Sequence, residues 1–337
     1  MNIHEPLSRR RFLQQSFAFS ALAGMGGALP SLAKAATGAG SSNLLMVGDW
    51  GAENDKNQAL VAAGMQGYVR AQGLKTDALL MLGDNWYGPL PDGAKDKRWQ
   101  TQFEEMYPKS VFDCVAYAIP GNHDYQRMPL SKLDAELEYA KNGGTRWTMP
   151  SRWYSFKFPA KNPVMTVIAL DSNMPHADGK WDFGQNFTLT PAAQTEQLAW
   201  LTAELEKPLT TPWLVVMGHH PVFTNGPHGD TATLVQDWEP LFRKHKVHLY
   251  LAGHDHDMQH LEFEGHPTSF ALSGGGGADL YTLKIDQAQR GPYAAKINGF
   301  SHLEVSRDRL VMRHVDESGQ TIHAFSKTVD GKVTILG

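Results

Sequence analysis

The chain is poor in cysteine, in long apolar runs and in charge of one sign. Its 337 residues hold a single cysteine, Cys114, which excludes an intramolecular disulfide. Cys114 lies in the apolar run Val111 to Ile119, so it reads as a small buried hydrophobe. The longest mildly apolar stretch, Ser16 to Leu29, is too short for a permanent membrane anchor. There are 31 basic and 35 acidic side chains, a net charge of −4. An acidic balance gives no general electrostatic case for gripping nucleic acid. Repeats, low-complexity linkers and charge blocks are also missing, which argues against solenoids and tethered modules.

The N-terminus carries signals of transport rather than of fold. Ser8-Arg9-Arg10-Arg11-Phe12-Leu13-Gln14 resembles a twin-arginine export signal, with Arg9 and Arg10 as the pair. The apolar run follows it, and Ala33-Lys34-Ala35 has the small-x-small form of a cleavage site, leaving Ala36 as the first mature residue. The expectation is a signal peptide over 1–35 and a mature domain over 36–337. That implies the twin-arginine export machinery as a partner and a periplasmic or secreted location. Residues 1–35 hold four basic side chains and one acidic one, so their removal moves the net charge to −7. Twin-arginine export carries folded proteins, which suits a protein that loads its cofactor first.

The rest alternates strands and helices. Apolar runs predict strands at Asn43–Val47, Ala78–Leu82, Val115–Ile119, Val164–Leu170, Trp213–Met217 and Val247–Leu251. Trp153–Phe158 alternates as a half-buried strand does. Helices are predicted over Lys56–Arg70, from Thr190-Pro191 to about Lys207, and from Leu234 to His245. His260–Phe263, Ser269–Leu272, Phe300–Val305, Leu310–Val315 and Thr321–Ser326 read as strands of a more antiparallel region. The fold class expected is α/β: two mixed sheets packed face to face with helices outside, a four-layer α-β-β-α sandwich.

Five strand ends carry polar clusters: Gly48-Asp49-Trp50-Gly51, Gly83-Asp84-Asn85-Trp86-Tyr87, Gly121-Asn122-His123-Asp124, Gly218-His219-His220 and Gly253-His254-Asp255-His256. Ligands gather at the carboxyl ends of strands in such sheets. Asp49 and Asp84 offer hard oxygen, and a carboxylate such as Asp84 can bridge two cations. Asn122 offers an amide oxygen, and His219, His254 and His256 offer nitrogen suited to zinc or iron. A lone Gly-Asp is usually a turn. All five clusters in order make a paired-metal site, which activates water against phosphate esters.

In that order the clusters resemble the motifs of the calcineurin-like metallophosphoesterases, over roughly residues 43 to 315. Tyr87, three residues after Asp84, narrows the resemblance to the small single-domain purple acid phosphatases of tartrate-resistant type. The resemblance implies iron(III) on Asp49, Tyr87 and His256, with Asp84 bridging. It implies a divalent metal (iron, zinc or manganese) on Asn122, His219 and His254. His123 and His228 match histidines that contact phosphate and protonate the leaving alcohol. Monoester hydrolysis by a dinuclear metal-hydroxide at acid to neutral pH is the implied activity. Ser273-Gly274-Gly275-Gly276-Gly277 resembles a Ser-Gly-x-Gly segment near the family's site. His220 departs from the tyrosine common in this branch and stays outside the metal set, as packing, a hydrogen-bond donor behind the ligands or a further phosphate contact. Asp124 and Gln259 are expected behind the ligand histidines. His245, His248 and His314 belong to no motif and read as surface or structural. Two alternatives stay open: a phosphodiesterase or nucleotidase on the same fold, decided by loops Ser172–Phe187 and Pro221–Asp230, or a non-catalytic periplasmic metal- or phosphate-binding protein.

Overall fold

A computed structural model describes residues 40–127, 130–174, 188–284 and 290–337. The expected signal peptide and most of the Ser172–Phe187 loop lie outside the described residues.

One sheet runs in the order β15-β14-β13-β12-β1-β2-β3-β4 and the other in the order β11-β9-β10-β8-β7-β6-β5. The first holds β1 (Ser42–Val47), β2 (Ala78–Met81), β3 (Val115–Ala118) and β4 (Trp147–Thr148) in parallel. It continues antiparallel through β12 (Gly299–Val305), β13 (Arg309–Asp316), β14 (Thr321–Thr328) and β15 (Val333–Ile335). The second holds β6 (Met165–Ala169), β7 (Trp213–Met217), β8 (Leu249–Ala252) and β10 (Ser269–Ser273) in parallel. Its antiparallel members are β5 (Tyr154–Phe158), β9 (Met258–Leu261) and β11 (Tyr293–Ala295).

The period of two along each strand sorts side chains between layers. Leu44 and Met46 of β1 and Val215 and Met217 of β7 meet in the core between the sheets. Leu45 and Val47 turn instead to an outer core with α1 (Lys56–Gln72) and the aromatic cluster Trp50, Trp99, Phe103 and Trp147. Leu214 and Val216 turn to a second outer core beneath α3 (Pro191–Glu206), α4 (Ala232–Asp237) and α5 (Glu239–Lys244). These layers are the expected α-β-β-α sandwich. Cys114 packs partly buried against the first outer core, and burial pushes its thiol up to about 11.

Two expectations need correction, and one helix had no counterpart among them. The helix expected over Leu234–His245 is two short helices, broken at Trp238 with Pro240 in the first turn of the second. The strand expected at His260–Phe263 begins two residues earlier, at Met258. A helix not anticipated, α2 (Lys132–Lys141), starts at a Ser131 cap that accepts from the Asp134 amide.

Candidate metal centre

The five polar clusters follow the carboxyl ends of β1, β2, β3, β7 and β8. Three come from one sheet and two from the other, so they meet where the sheets join. Gly48 N–H donates to the Ser273 carbonyl at 2.8 Å and ties the sheets together there.

The donor atoms fall into two groups that share Asp84. In the first, Tyr87 Oη lies 3.1 Å from Asp49 Oδ1, 3.0 Å from Asp84 Oδ2 and 3.0 Å from His256 Nε2. In the second, Asn122 Oδ1 lies 3.2 Å from His219 Nε2 and 3.1 Å from His254 Nδ1. His219 Nε2 is also 3.4 Å from Asp84 Oδ2, the oxygen that faces Tyr87. All seven sequence-predicted metal residues therefore converge, and Asp84 stands between the groups as a bridging carboxylate must. Both carboxylates are buried, and among the described residues no Lys or Arg pairs with them within ion-pair distance. Oxygen and imidazole donors of this kind fit iron, zinc or manganese.

Electrostatics expresses the same concentration of charge. Burial pushes the Asp84 carboxyl up, but His219 and His123 outweigh it and hold Asp84 well below the usual range. Burial works against a charged His219, yet Asp84 and Asp49 raise it to about 10. Burial, then Asp84 and Asp49, push the Tyr87 phenol well above its ordinary value. Burial and the neighbours His220 and His219 hold His254 well below its own.

The backbone accepts strain to bring the donors in. Asp49, Asp84 and His254 have φ of 59°, 48° and 68° in the left-handed region, costing on the order of 1 kcal/mol or more each. Gly121 is required by contact, since a Cβ there would sit 2.2 Å from the Asp84 amide nitrogen and carboxylate.

Backbone carbonyls, rather than the expected Asp124 and Gln259, hold the ligand histidines. His219 Nδ1 donates to the Leu82 carbonyl at 2.9 Å and His256 Nδ1 to the Asp279 carbonyl at 2.6 Å. Each bond fixes the tautomer and turns Nε2 toward the donor group. Asp124 instead staples two loops. It accepts from the Asn85 and Trp86 amides on one side and from the Gly121 amide on the other. Gln259 bonds the Asn225 amide and Thr224.

Sequence reasoning missed two cations beneath Tyr87. Arg98 donates to the carbonyls of Tyr87, Pro89 and Gly51 at 2.8–2.9 Å. Lys132, wholly buried, donates to the carbonyls of Trp86 and Gly88. It also missed Tyr281, whose ring stacks on His256 at 4.0 Å between centroids. No local pattern marks these residues, because only the fold brings them to the site.

A cleft of about 100 Å³ opens over the donors, lined by Asp84, Asn122, His123, His228, His254, His256 and Tyr281. His123 donates its amide N–H to Asp84 Oδ1 at 2.8 Å and packs its ring on Tyr87. His228 packs on His254 at 4.4 Å. His220 is buried, bonds Ser172 through Nδ1, and does not line the cleft. His248 and His314 are removed from the cleft, and burial drives His314 down to about 3.

The family profile for calcineurin-like phosphoesterases matches residues 42–258. The chain is 31% identical over 311 residues to tartrate-resistant acid phosphatase type 5 of Homo sapiens, covering 87% of this chain and 92% of that one. It is 30% identical over 300 residues to purple acid phosphatase 7 of Arabidopsis thaliana, covering 85% and 86%. Among solved structures, GAP50, the anchor in the inner membrane complex of Plasmodium, superposes with a TM-score of 0.68 at 19% identity, covering 88% and 90%. Purple acid phosphatase PPD1 from yellow lupin seeds gives 0.62 at 16%, covering 86% of this chain and 54% of that one. The sandwich is shared by an anchor and a phosphatase, so fold alone does not assign chemistry. The profile spans all five donor clusters that the two sheets bring together, and the chain belongs to the calcineurin-like phosphoesterase family.

Proposed function

We propose that this protein hydrolyses phosphate monoesters at a two-metal site. The carrying observation is the Asp84 carboxylate shared between two donor groups, beneath a cleft with histidines on its rim. Asp49, Tyr87 and His256 would hold iron(III), Asn122, His219 and His254 a divalent metal, and Asp84 both. Bound cations supply Lewis acidity toward phosphate oxygens and lower the pKa of water. The Tyr87 phenol favours iron(III) in the first position, which suits activity at acid to neutral pH.

The protein's own groups do the rest. His219 and His256 are held in one tautomer by main-chain carbonyls, so their Nε2 atoms are free to bind metal. His123 is anchored through its amide to Asp84, leaving its ring for a phosphate oxygen. His228 faces the same cleft and gives the proton to the departing alcohol. Initial rates on a monoester and on a diester bearing the same leaving group test this. Faster monoester turnover, lost in Asp84→Ala, is expected. A diester preference would transfer the reading to the phosphodiesterases, and phosphate binding without hydrolysis of either ester would favour a binding protein.

We also assign residues 1–35 to an export signal and 36–337 to one catalytic domain. The support is the order of Arg9-Arg10, the apolar run and Ala33-Lys34-Ala35. The protein would work in the periplasm or outside the cell after twin-arginine export. Among the described residues no helix is long and apolar enough to cross a membrane. Replacing Arg9 and Arg10 by lysine should hold the protein in the cytoplasm, and normal export with those changes would refute the signal.

A further inference from the structure

Between the two ligand histidines of the last cluster sits Asp255, which has no part in either donor group. Its side chain turns toward the loop that carries Thr224, Gly226 and His228. His228 Nδ1 lies 2.6 Å from Asp255 Oδ1, with the histidine side chain 34% exposed and the carboxylate wholly buried. The other carboxylate oxygen accepts from Thr224 Oγ1 at 2.5 Å. That hydroxyl in turn accepts from the Gly226 amide at 2.8 Å and from Gln259 Nε2 at 3.0 Å. Gln259 Oε1 accepts from the Asn225 amide at 2.8 Å. A Cβ on Gly226 would fall 2.2 Å from the Asp255 carboxyl, so only glycine lets the loop pass this close. Arg290 clamps the far end through Asp230 and the Thr224 carbonyl.

This arrangement has one consequence for proton transfer. Both Asp255 oxygens act as acceptors, Oδ2 toward Thr224 and Oδ1 toward His228, so His228 Nδ1 carries the hydrogen of its bond to Asp255. The nitrogen left for the cleft is Nε2. We infer that Asp255, itself held by Thr224, is the positioning residue that fixes the tautomer and aim of His228. As a water oxygen bonds to phosphorus, the P–O bond to the alcohol breaks, its electron pair goes to the leaving oxygen, and that oxygen takes the proton carried on Nε2. Nδ1–H stays with Asp255 throughout, and solvent returns a proton to Nε2. The inference rests on the reading of His228 as the acid.

The test is a double-mutant cycle on the metal-loaded enzyme, using an aryl phosphate with a good leaving group and an alkyl phosphate with a poor one. Asp255→Asn should lower kcat on the alkyl ester about 10- to 100-fold, and on the aryl ester less than about threefold, with KM little changed. Adding Asp255→Asn to His228→Ala should cost nothing further. Metal content and visible spectrum should match wild type. Additive losses, or equal losses on both esters, would overturn the inference. If His228→Ala itself spares the alkyl ester, the assignment of His228 fails, and that outcome is read from the single variant alone. If Asp255→Asn loses metal or does not fold, Thr224→Val carries the test from outside the ligand run. It should show a smaller loss confined to the alkyl ester, and no loss there overturns the proposal.

Discussion

Asp124→Asn probes whether the staple between the ligand loops is a structural necessity. Asp124 is fully buried, and its two oxygens accept four hydrogen bonds. Oδ1 takes the Trp86 amide at 2.8 Å. Oδ2 takes the Gly121 amide at 2.8 Å and the Asn85 amide and side chain at 3.0 and 3.2 Å. An asparagine has one acceptor oxygen. Placed where Oδ2 was, it keeps three bonds but sets its own NH2 against the Trp86 N–H. Two buried donors then lack acceptors, at about 1–3 kcal/mol each, so the gross cost is about 2–6 kcal/mol. Loss of repulsion from Asp84, which with burial raises the Asp124 carboxyl, offsets part of this. The net expectation is the lower half of the range. At about 2.1 cal/mol/K per residue, a folded unit of about 300 residues has an unfolding entropy near 0.6 kcal/mol/K. Calorimetry of the metal-free protein should therefore show Tm lower by about 3–6 °C. Asp84 and Asn122 flank the staple, so metal occupancy at limiting metal should fall too. A metal-free Tm within about 1 °C of wild type, with full metal occupancy, would refute the reasoning.

If iron(III) sits on Tyr87 as proposed, its bond to the phenolate would give a violet absorption band, and Tyr87→Phe should remove that band while metal remains bound; an unchanged spectrum would take Tyr87 out of the iron set. Asn122→Ala removes the oxygen that meets both His219 and His254. Its turnover should fall by at least about 100-fold, with metal analysis losing one ion first; near-normal turnover would break the two-metal reading. Burial, with Arg313 nearby, drives His302 down to about 3, and it bonds Tyr68 and Asn43. Its unfolded value is about 6.5, so the unfolded chain binds more protons and stability falls as pH drops from there toward 3. Urea unfolding at several pH values should show His302→Asn reducing that slope by about 1.4 kcal/mol per pH unit, and parallel slopes would contradict it.

The strands and donor clusters were legible because their signals are local. An apolar run such as Trp213–Met217 buries on both faces in either sheet, and the polar residues after it can only lie at its end. What supports the donors was not legible. Arg98, Lys132 and Tyr281 act across 11, 46 and 25 residues of chain, through contacts set by the packing of loops. Main-chain carbonyls of Leu82 and Asp279 took the role expected of Asp124 and Gln259, and a carbonyl leaves no trace in side-chain sequence. The break at Trp238 was missed because apolar spacing continues across it, while Pro240 is tolerated in a first turn. The role of Asp255 was hidden by its neighbours, since a residue between two ligand histidines reads as a spacer.

The central claim is a two-metal phosphomonoesterase. Elemental analysis of the active protein, paired with its monoester turnover, tests it most directly. Turnover should track occupancy and reach its maximum at two metal ions per chain, at least one of them iron. Full turnover at one metal or none would contradict the account.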